Sequence, residues 1–206
     1  MISRRIFLAA TASTLALSSS GAPHAAGNPP ATLSVFYDGL LAVMKNGRRL
    51  GFEGRRTRLV PLISQAFDLP LMTRLVVGLQ WPSLPAEDQR QLVAAFAEFS
   101  VATYARQFDD FDGERFEVDP KTAPAPGNDT IVKTRLIRSN GEPVQLDYLM
   151  RQAQNEWRII DVFLEGTISQ LATRRSEFSA ILRDRGAPGL IAVLKEKTQA
   201  LATGSG

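Results

Sequence analysis

The sequence contains no cysteine, and its only histidine is His24, close to the N-terminus. The rest of the chain therefore lacks the side chains for a Ser-His-Asp or Cys-His catalytic unit, for the usual kind of zinc site and for a haem site with those ligands. It also lacks the thiols for a disulfide bond, which an exported protein can hold. We predict no cofactor and no metal site, and these absences favour a function in binding.

Long apolar runs are also missing. A bilayer-spanning helix needs roughly 20 apolar residues, whereas the run from Ile6 to Leu17 covers about a dozen.

This apolar run follows Arg4-Arg5 and precedes small residues at 18–27. This order is typical of an export signal, and paired arginines are typical of the twin-arginine route; a general secretory signal with two arginines is the alternative. We predict that residues 1–26 are a twin-arginine-like signal peptide and that 27–206 form one soluble, exported domain with a helical extension.

The charge of the chain is small. It has 24 basic and 21 acidic residues, a formal charge of +3, and loss of Arg4 and Arg5 with the signal leaves 22 against 21, or +1. The sequence has no ladder of aromatic and basic residues, so no nucleic-acid partner is expected. The acidic cluster at 109–114 lacks the spacing of an EF-type calcium loop, and we interpret it as a solvated helix end.

Apolar residues recur at intervals of three and four over much of the chain, as on one face of a helix. In the first such segment they are Leu33, Phe36, Leu40 and Met44. Helices are predicted at residues 31–45, 55–67, from 70 to about 79, at 83–108, 167–184 and 188–201. Residues 48–54 are interpreted as a basic loop. Two roles stay open for its arginines and for those that follow it: contact with phosphate groups or an acidic partner, or exposure to solvent alone.

After Asp112-Gly113 the apolar period falls to two, which is typical of strands. Strands are predicted at residues 115–119, 130–138, 143–152 and 157–164, with a loop at 121–128. Asn140-Gly141 predicts a tight hairpin turn. The fold class is therefore α+β, with an antiparallel sheet of three or four strands, one face in water, and helices packed before and after it.

The predicted helices outnumber those that a small sheet needs. Two interpretations stay open: the surplus apolar surface packs helix on helix, or the helices splay from the sheet and enclose a dry cavity for an apolar ligand. Tyr104, Tyr148 and Trp157 are candidates for the wall or mouth of such a cavity, with core packing as the alternative role of each.

Three stretches carry a resemblance to a known family. They are GFEGRRTRLVPLISQAFDLPLMTRLVVGLQW at 51–81, DQRQLVAAFAEFSVATYARQFDDF at 88–111 and SEFSAILRDRGAPGLIAVLKEK at 176–197. Together with the predicted order of helices and strands, these stretches carry the resemblance. Over residues 33–197 the chain resembles the MlaC, or toluene-tolerance, family of the Mla lipid-transport system. The segment FDGERFEV at 111–118 resembles a branch of that family associated with hopanoid biosynthesis.

The resemblance implies a curved antiparallel sheet of the NTF2-like cone type and a deep apolar pocket for lipid tails. It implies a periplasmic carrier, not an enzyme, that takes phospholipid or hopanoid between an outer-membrane lipoprotein–porin complex and an inner-membrane ABC transporter with an MCE-type lipid-binding ring. The paired-arginine start departs from the general secretory signal expected of many relatives, which puts the export route in doubt.

Inward helix stripes and inferred core faces of strands supply candidate lipid-binding residues. These are Met72, Leu75, Val76, Phe96, Phe99, Tyr104, Val132, Leu136, Leu146, Tyr148, Trp157 and Ile159. Two alternatives to the carrier stay open, namely an enzyme on the same scaffold that uses Asp, Glu or Tyr, and an interaction module without ligand. A desolvated carboxylate of raised pKa in a pocket would favour the enzyme, and a fully packed interior would favour the interaction module.

Overall fold

The computed structural model describes residues 28–204. The predicted signal peptide at 1–26 lies outside the described residues. Four helices come first, α1 (Pro29–Met44), α2 (Gly47–Ala66), α3 (Leu69–Val77) and α4 (Ala86–Gln107), with a 3₁₀ helix at Gly78–Ser83 before α4. The strands follow as β1 (Arg115–Pro124), β2 (Thr130–Ile137), β3 (Pro143–Ala153), β4 (Glu156–Leu164) and β5 (Ile168–Ser169), and α5 (Gln170–Thr203) ends the chain. This order confirms the predicted α+β fold class.

Capping side chains explain where several helices begin. The Oδ1 atom of Asn28 accepts a hydrogen bond from the Ala31 amide at 2.7 Å, and Oδ1 of Asp68 accepts one from the Leu71 amide at 3.0 Å. Ser169 caps α5 in the same way. Each cap satisfies a backbone donor that the first turn of a helix leaves free.

The predicted basic loop at 48–54 is wrong, because these residues are helical. α2 starts at Gly47 and bends at Gly51, whose φ of 61° and ψ of −178° suit glycine. Arg55 is buried, and it donates from Nε to the Ala105 carbonyl at 2.8 Å and from Nη1 to the Gly47 carbonyl at 2.9 Å. This arginine ties α2 to α4 and does not face a partner.

The five strands pair in sequence order, each antiparallel to its neighbours. Tyr148 of β3 lies opposite Val132 of β2 and Val162 of β4, which places the three side chains on one face. α1 packs over β1 and β2, and the ring of Tyr37 stacks on that of Phe116 with centroids 4.0 Å apart. β4 contacts α1, α2, α3 and α5.

Two parts of the sheet differ from the prediction. β1 continues to Pro124 through a shift of register between Val118 and Thr122, so the first half of the predicted loop at 121–128 is strand. The short β5 pairs with the end of β4 where a helix was predicted. That pairing depends on a contact between Ile168 and Leu164 rather than on the local period. The curved, unclosed sheet with helices around it fits the NTF2-like fold.

The last helix bends at Gly186, where φ is 64° and ψ is −171°. Pro188 follows in the first turn after the bend, where proline is favoured because its missing N–H has no partner to lose. The two helices predicted at 167–184 and 188–201 are therefore two segments of α5 joined at Gly186. Within residues 28–204, no helix combines the length and the apolar character that crossing a bilayer requires.

Candidate functional site

A cavity of about 210 Å³ lies between the sheet and the helices. β3 contributes Leu146 and Tyr148 to its wall, and β4 contributes Val162 and Leu164. Leu146 pairs with Leu164, and Tyr148 with Val162, so the four side chains share one face of the sheet. The cavity therefore lies over β3 and β4.

The helices close the other sides of the cavity. α4 forms the longest wall, with side chains spaced three and four apart and therefore on one side of the helix. They are Phe96, Phe99, Ser100, Thr103, Tyr104 and Gln107, followed by Phe108. Ile63 and Phe67 at the end of α2, Leu69 and Met72 of α3, and Gln170, Leu171 and Arg174 of α5 complete the lining. Most of these side chains are apolar, so the cavity favours a hydrocarbon ligand.

All three tyrosines of the chain meet beside the cavity. The rings of Tyr37 and Tyr148 have centroids 5.8 Å apart. The Tyr37 hydroxyl lies 2.7 Å from Oγ1 of Thr134, which in turn donates to the Leu146 carbonyl. Burial raises the pKa of Tyr37, Tyr104 and Tyr148 well above the usual value for tyrosine. The hydroxyls therefore stay neutral at ordinary pH and act as hydrogen-bonding groups, not as bases.

Apart from Tyr148 of β3, the polar lining residues lie on the α4 and α5 sides. Oγ of Ser100 donates to the Phe96 carbonyl at 2.7 Å, and Oγ1 of Thr103 donates to the Phe99 carbonyl at 2.8 Å. Both hydroxyl protons are thus used within α4. Of the side chains that line the cavity in the described part of the chain, Arg174 alone carries a charge.

Among the residues that the structure describes, the titratable side chains of the cavity are Tyr104, Tyr148 and Arg174. Across residues 28–204, no aspartate or glutamate lines it. Its tyrosines, Tyr104 and Tyr148, are held neutral by burial. A general base must sit within hydrogen-bond reach of the proton that it removes, and the lining offers no ionised group of that kind. The desolvated carboxylate that would favour an enzyme is not among the described lining residues.

The structure brings together half of the residues predicted to bind lipid. Those that line the cavity are Met72, Phe96, Phe99, Tyr104, Leu146 and Tyr148. Those that do not line it are Leu75, Val76, Val132, Leu136, Trp157 and Ile159. A role of any of them in holding lipid stays a prediction.

The position of each element explains the second group. Val132 and Leu136 lie on β2, which contributes none of the described lining residues. Trp157 and Ile159 lie at the start of β4, whereas the cavity lies at its end. In α3 the side chain of Val76 is buried in the core, and that of Leu75 is 38% exposed.

Several lining residues were missed by reasoning from the sequence. Ser100 follows Phe96 by four positions, so helical spacing could have found it. The face of the sheet on which Val162 lies could not be predicted from alternation. The pairing of β3 with β4 shifts between Leu149 and Met150, and this shift breaks simple alternation along β4. The α5 residues at 170–174 had no local signal, since their place depends on β5.

Comparisons with known families and structures agree with this geometry. The family model described as MlaC protein matches residues 35–196. The chain belongs to the MlaC family. The resemblance to the MlaC family is thereby confirmed, and the hopanoid-associated branch stays a prediction. A similar solved structure is the phospholipid-binding protein from Ralstonia solanacearum in complex with a phospholipid; the match is 26% identical, covers 85% of this chain and 99% of that chain, and has a TM-score of 0.75.

Proposed function

We propose that this MlaC-family protein is a soluble periplasmic carrier that holds the tails of a phospholipid or hopanoid in the cavity between its helices and β3–β4. The observation that carries the proposal is the apolar cavity, which lies in a chain of this family. The phospholipid-binding relative from Ralstonia solanacearum, whose fold this chain shares, supports a lipid as the ligand.

The energetics of lipid transfer suit a protein without catalytic groups. Burial of each methylene is worth roughly 0.8 kcal/mol, so two acyl tails represent on the order of 20 kcal/mol of transfer from water. A free lipid therefore does not cross an aqueous gap at a useful rate. A membrane and an apolar cavity stabilise the tails to a similar degree, so exchange between them has a small net free energy. The carrier needs a dry cavity that can open.

The cavity must open further to take a whole lipid. At about 210 Å³ it is smaller than the roughly 300–1,000 Å³ of typical ligand sites. It fits a section of one hydrocarbon chain. In the proposed cycle the helical walls move away from β3 and β4 as the lipid enters, and the apolar side chains of α4 then close on the tails.

The proposed partners follow the family resemblance. The carrier takes lipid between an outer-membrane lipoprotein–porin complex and an inner-membrane ABC transporter with an MCE-type ring. Two other functions are less well supported. An enzyme lacks a suitable carboxylate among the described lining residues, and an interaction module without ligand leaves the cavity unused.

Lipid transfer between separated vesicles tests the proposal. Donor and acceptor vesicles are placed on two sides of a filter that passes protein but not vesicles, with labelled phosphatidylethanolamine in the donor. We expect transfer to rise with protein concentration. Leu146→Trp places a large ring in the cavity and should abolish most of the transfer, whereas Val60→Trp, the same change at an exposed position of α2, should leave it intact.

Two results would contradict the proposal. Wild-type protein that transfers no lipid would exclude a carrier, and Leu146→Trp protein as active as wild type would exclude this cavity as the site. Thermal unfolding shows whether the variants are folded. If Leu146→Trp fails to fold, Ser100→Phe fills the same cavity from α4.

A further inference from the structure

Arg174 places a positive charge in an apolar setting. It lines the cavity from α5, and its Cζ atom lies 4.9 Å from the centroid of the Phe99 ring. Its side chain is 28% exposed, so the guanidinium lies between the apolar lining and solvent. An aromatic face stabilises a cation at this distance. The charge is therefore held at the edge of the cavity.

The hydrogen bonds of Arg174 leave part of its guanidinium available. Nη1 donates to Oε2 of Glu177 at 3.0 Å, one helical turn further along α5. An arginine has five N–H donors in a planar fork. Glu177 is itself 42% exposed, and such a partly exposed pair holds its geometry weakly. A second anion can therefore meet the remaining donors without burying an unpaired charge.

Three other polar side chains of the lining already donate hydrogen bonds to carbonyls. The hydroxyl protons of Ser100 and Thr103 are donated to carbonyls of α4. Nε2 of Gln170 donates to the Ile168 carbonyl at 3.3 Å. Among the lining residues that the structure describes, Arg174 is the sole cation and the strongest donor.

We propose that Arg174 is the residue that binds the lipid phosphate at the edge of this cavity. The inference rests on the proposed lipid-carrier function and names the side chain that meets the headgroup. Guanidinium and phosphate form charge-assisted, often bidentate hydrogen bonds. When the lipid tails enter the cavity, the phosphodiester lies at an apolar opening and loses part of its hydration. This desolvation is costly unless a cationic donor pairs with the anion. An uncharged hopanoid or diacylglycerol gains nothing from this arginine.

The test compares two lipids that differ only in the phosphate headgroup. Delipidated protein is loaded from the same uncharged detergent with phosphatidylethanolamine or with diacylglycerol of identical tails, and bound lipid is counted by native mass spectrometry. For wild type we expect phosphatidylethanolamine to load about ten-fold better, as a charge-assisted hydrogen bond allows. Arg174→Gln should lose this preference through weaker phospholipid loading, with diacylglycerol loading unchanged. Arg174→Lys should keep part of it.

Arg175→Gln is the matched control. It removes the same charge from the next residue, whose guanidinium lies against Gly78 and which does not line the cavity. We expect it to load both lipids as wild type does. An equal loss in both variants would show a general effect of charge and overturn the inference. So would Arg174→Gln protein with the wild-type preference. Wild type that loads neither lipid would instead contradict the carrier function itself. Unchanged diacylglycerol loading in Arg174→Gln shows that the cavity is intact.

Discussion

At the residue scale, the three tyrosines set the polarity of the cavity wall. Tyr104 lines the cavity from α4 and Tyr148 from β3, while Tyr37 anchors the cluster to Thr134 of β2. Burial is the main cause of their raised pKa values. A neutral hydroxyl offers a hydrogen bond without a buried charge, so the wall stays compatible with hydrocarbon.

These raised pKa values predict a loss of stability at alkaline pH. Below the usual tyrosine pKa of about 10, all three residues are protonated in both states and the full stability is present. As the pH rises above this value, the unfolded state loses protons that the folded state keeps. Unfolding is then favoured by about 1.4 kcal/mol per pH unit for each buried tyrosine.

Tyr104→Phe isolates one of these contributions. Above pH about 10, its free energy of unfolding should fall less steeply than that of wild type, by about 1.4 kcal/mol per pH unit. Denaturant unfolding at a series of pH values measures this slope, and the titration of lysines and arginines cancels in the comparison. Equal slopes for the two proteins would mean that Tyr104 ionises in the folded state.

Single residues differ in how far the sequence reveals them. Phe96 and Tyr148 were predicted because each lies in a clear apolar pattern and on a long element. Because charge is its only local signal, Arg55 was predicted at the start of a helix and facing either phosphate groups and acidic partners or solvent. It is instead buried against two backbone carbonyls. Arg174 was missed for the same reason, since its place depends on tertiary contacts with Phe99 and the cavity.

At the element scale, two glycine bends shape the helical layer. Gly51 in α2 and Gly186 in α5 have almost the same backbone angles, with φ near 60° and ψ near 180°. Residues with a Cβ are strongly disfavoured there. The bend at Gly186 separates the N-terminal part of α5, which lines the cavity, from the segment that ends the chain. This division was predicted, because glycine followed by proline marks a helix boundary.

Replacement of Gly186 by alanine tests this bend. A Cβ at this position would meet only Cδ of Pro188, at 3.7 Å, so crowding is not the obstacle. The obstacle is the backbone conformation, which residues with a Cβ rarely adopt. Gly186→Ala should therefore lower the free energy of unfolding by about 1–3 kcal/mol. Ala180→Ser, at an exposed position of the same helix, should change it by less than about 0.5 kcal/mol. A variant as stable as wild type would show that α5 can straighten at this point.

Elements with strong periodicity were predicted well, and those defined by distant contacts were not. α1 and α4 follow from apolar spacing, and β2 and β3 follow from alternation about Asn140-Gly141. β5 has two residues and exists through its pairing with β4. The later half of β1 was missed because Pro120 and Pro124 are typical of loops, although a strand at the sheet edge tolerates proline.

At the scale of the whole molecule, the order of elements creates the cavity. α1 contacts β1, β2 and β4, while α2, α3, α4 and α5 surround a space over β3 and β4 that they do not fill. Family membership and the phospholipid-binding relative point to the same use of this space. The sequence predicted the fold and the apolar character of the interior. It did not predict the size or the exact walls of the cavity, which depend on how the elements pack.

Native mass spectrometry of the protein purified gently from its own host tests the central claim most directly. Since the cavity is apolar and the free lipid is insoluble, a carrier should retain its ligand through purification. We expect a population that carries one lipid for each protein, with an extracted ligand that contains phosphate. Protein that is free of lipid under these conditions would contradict the account.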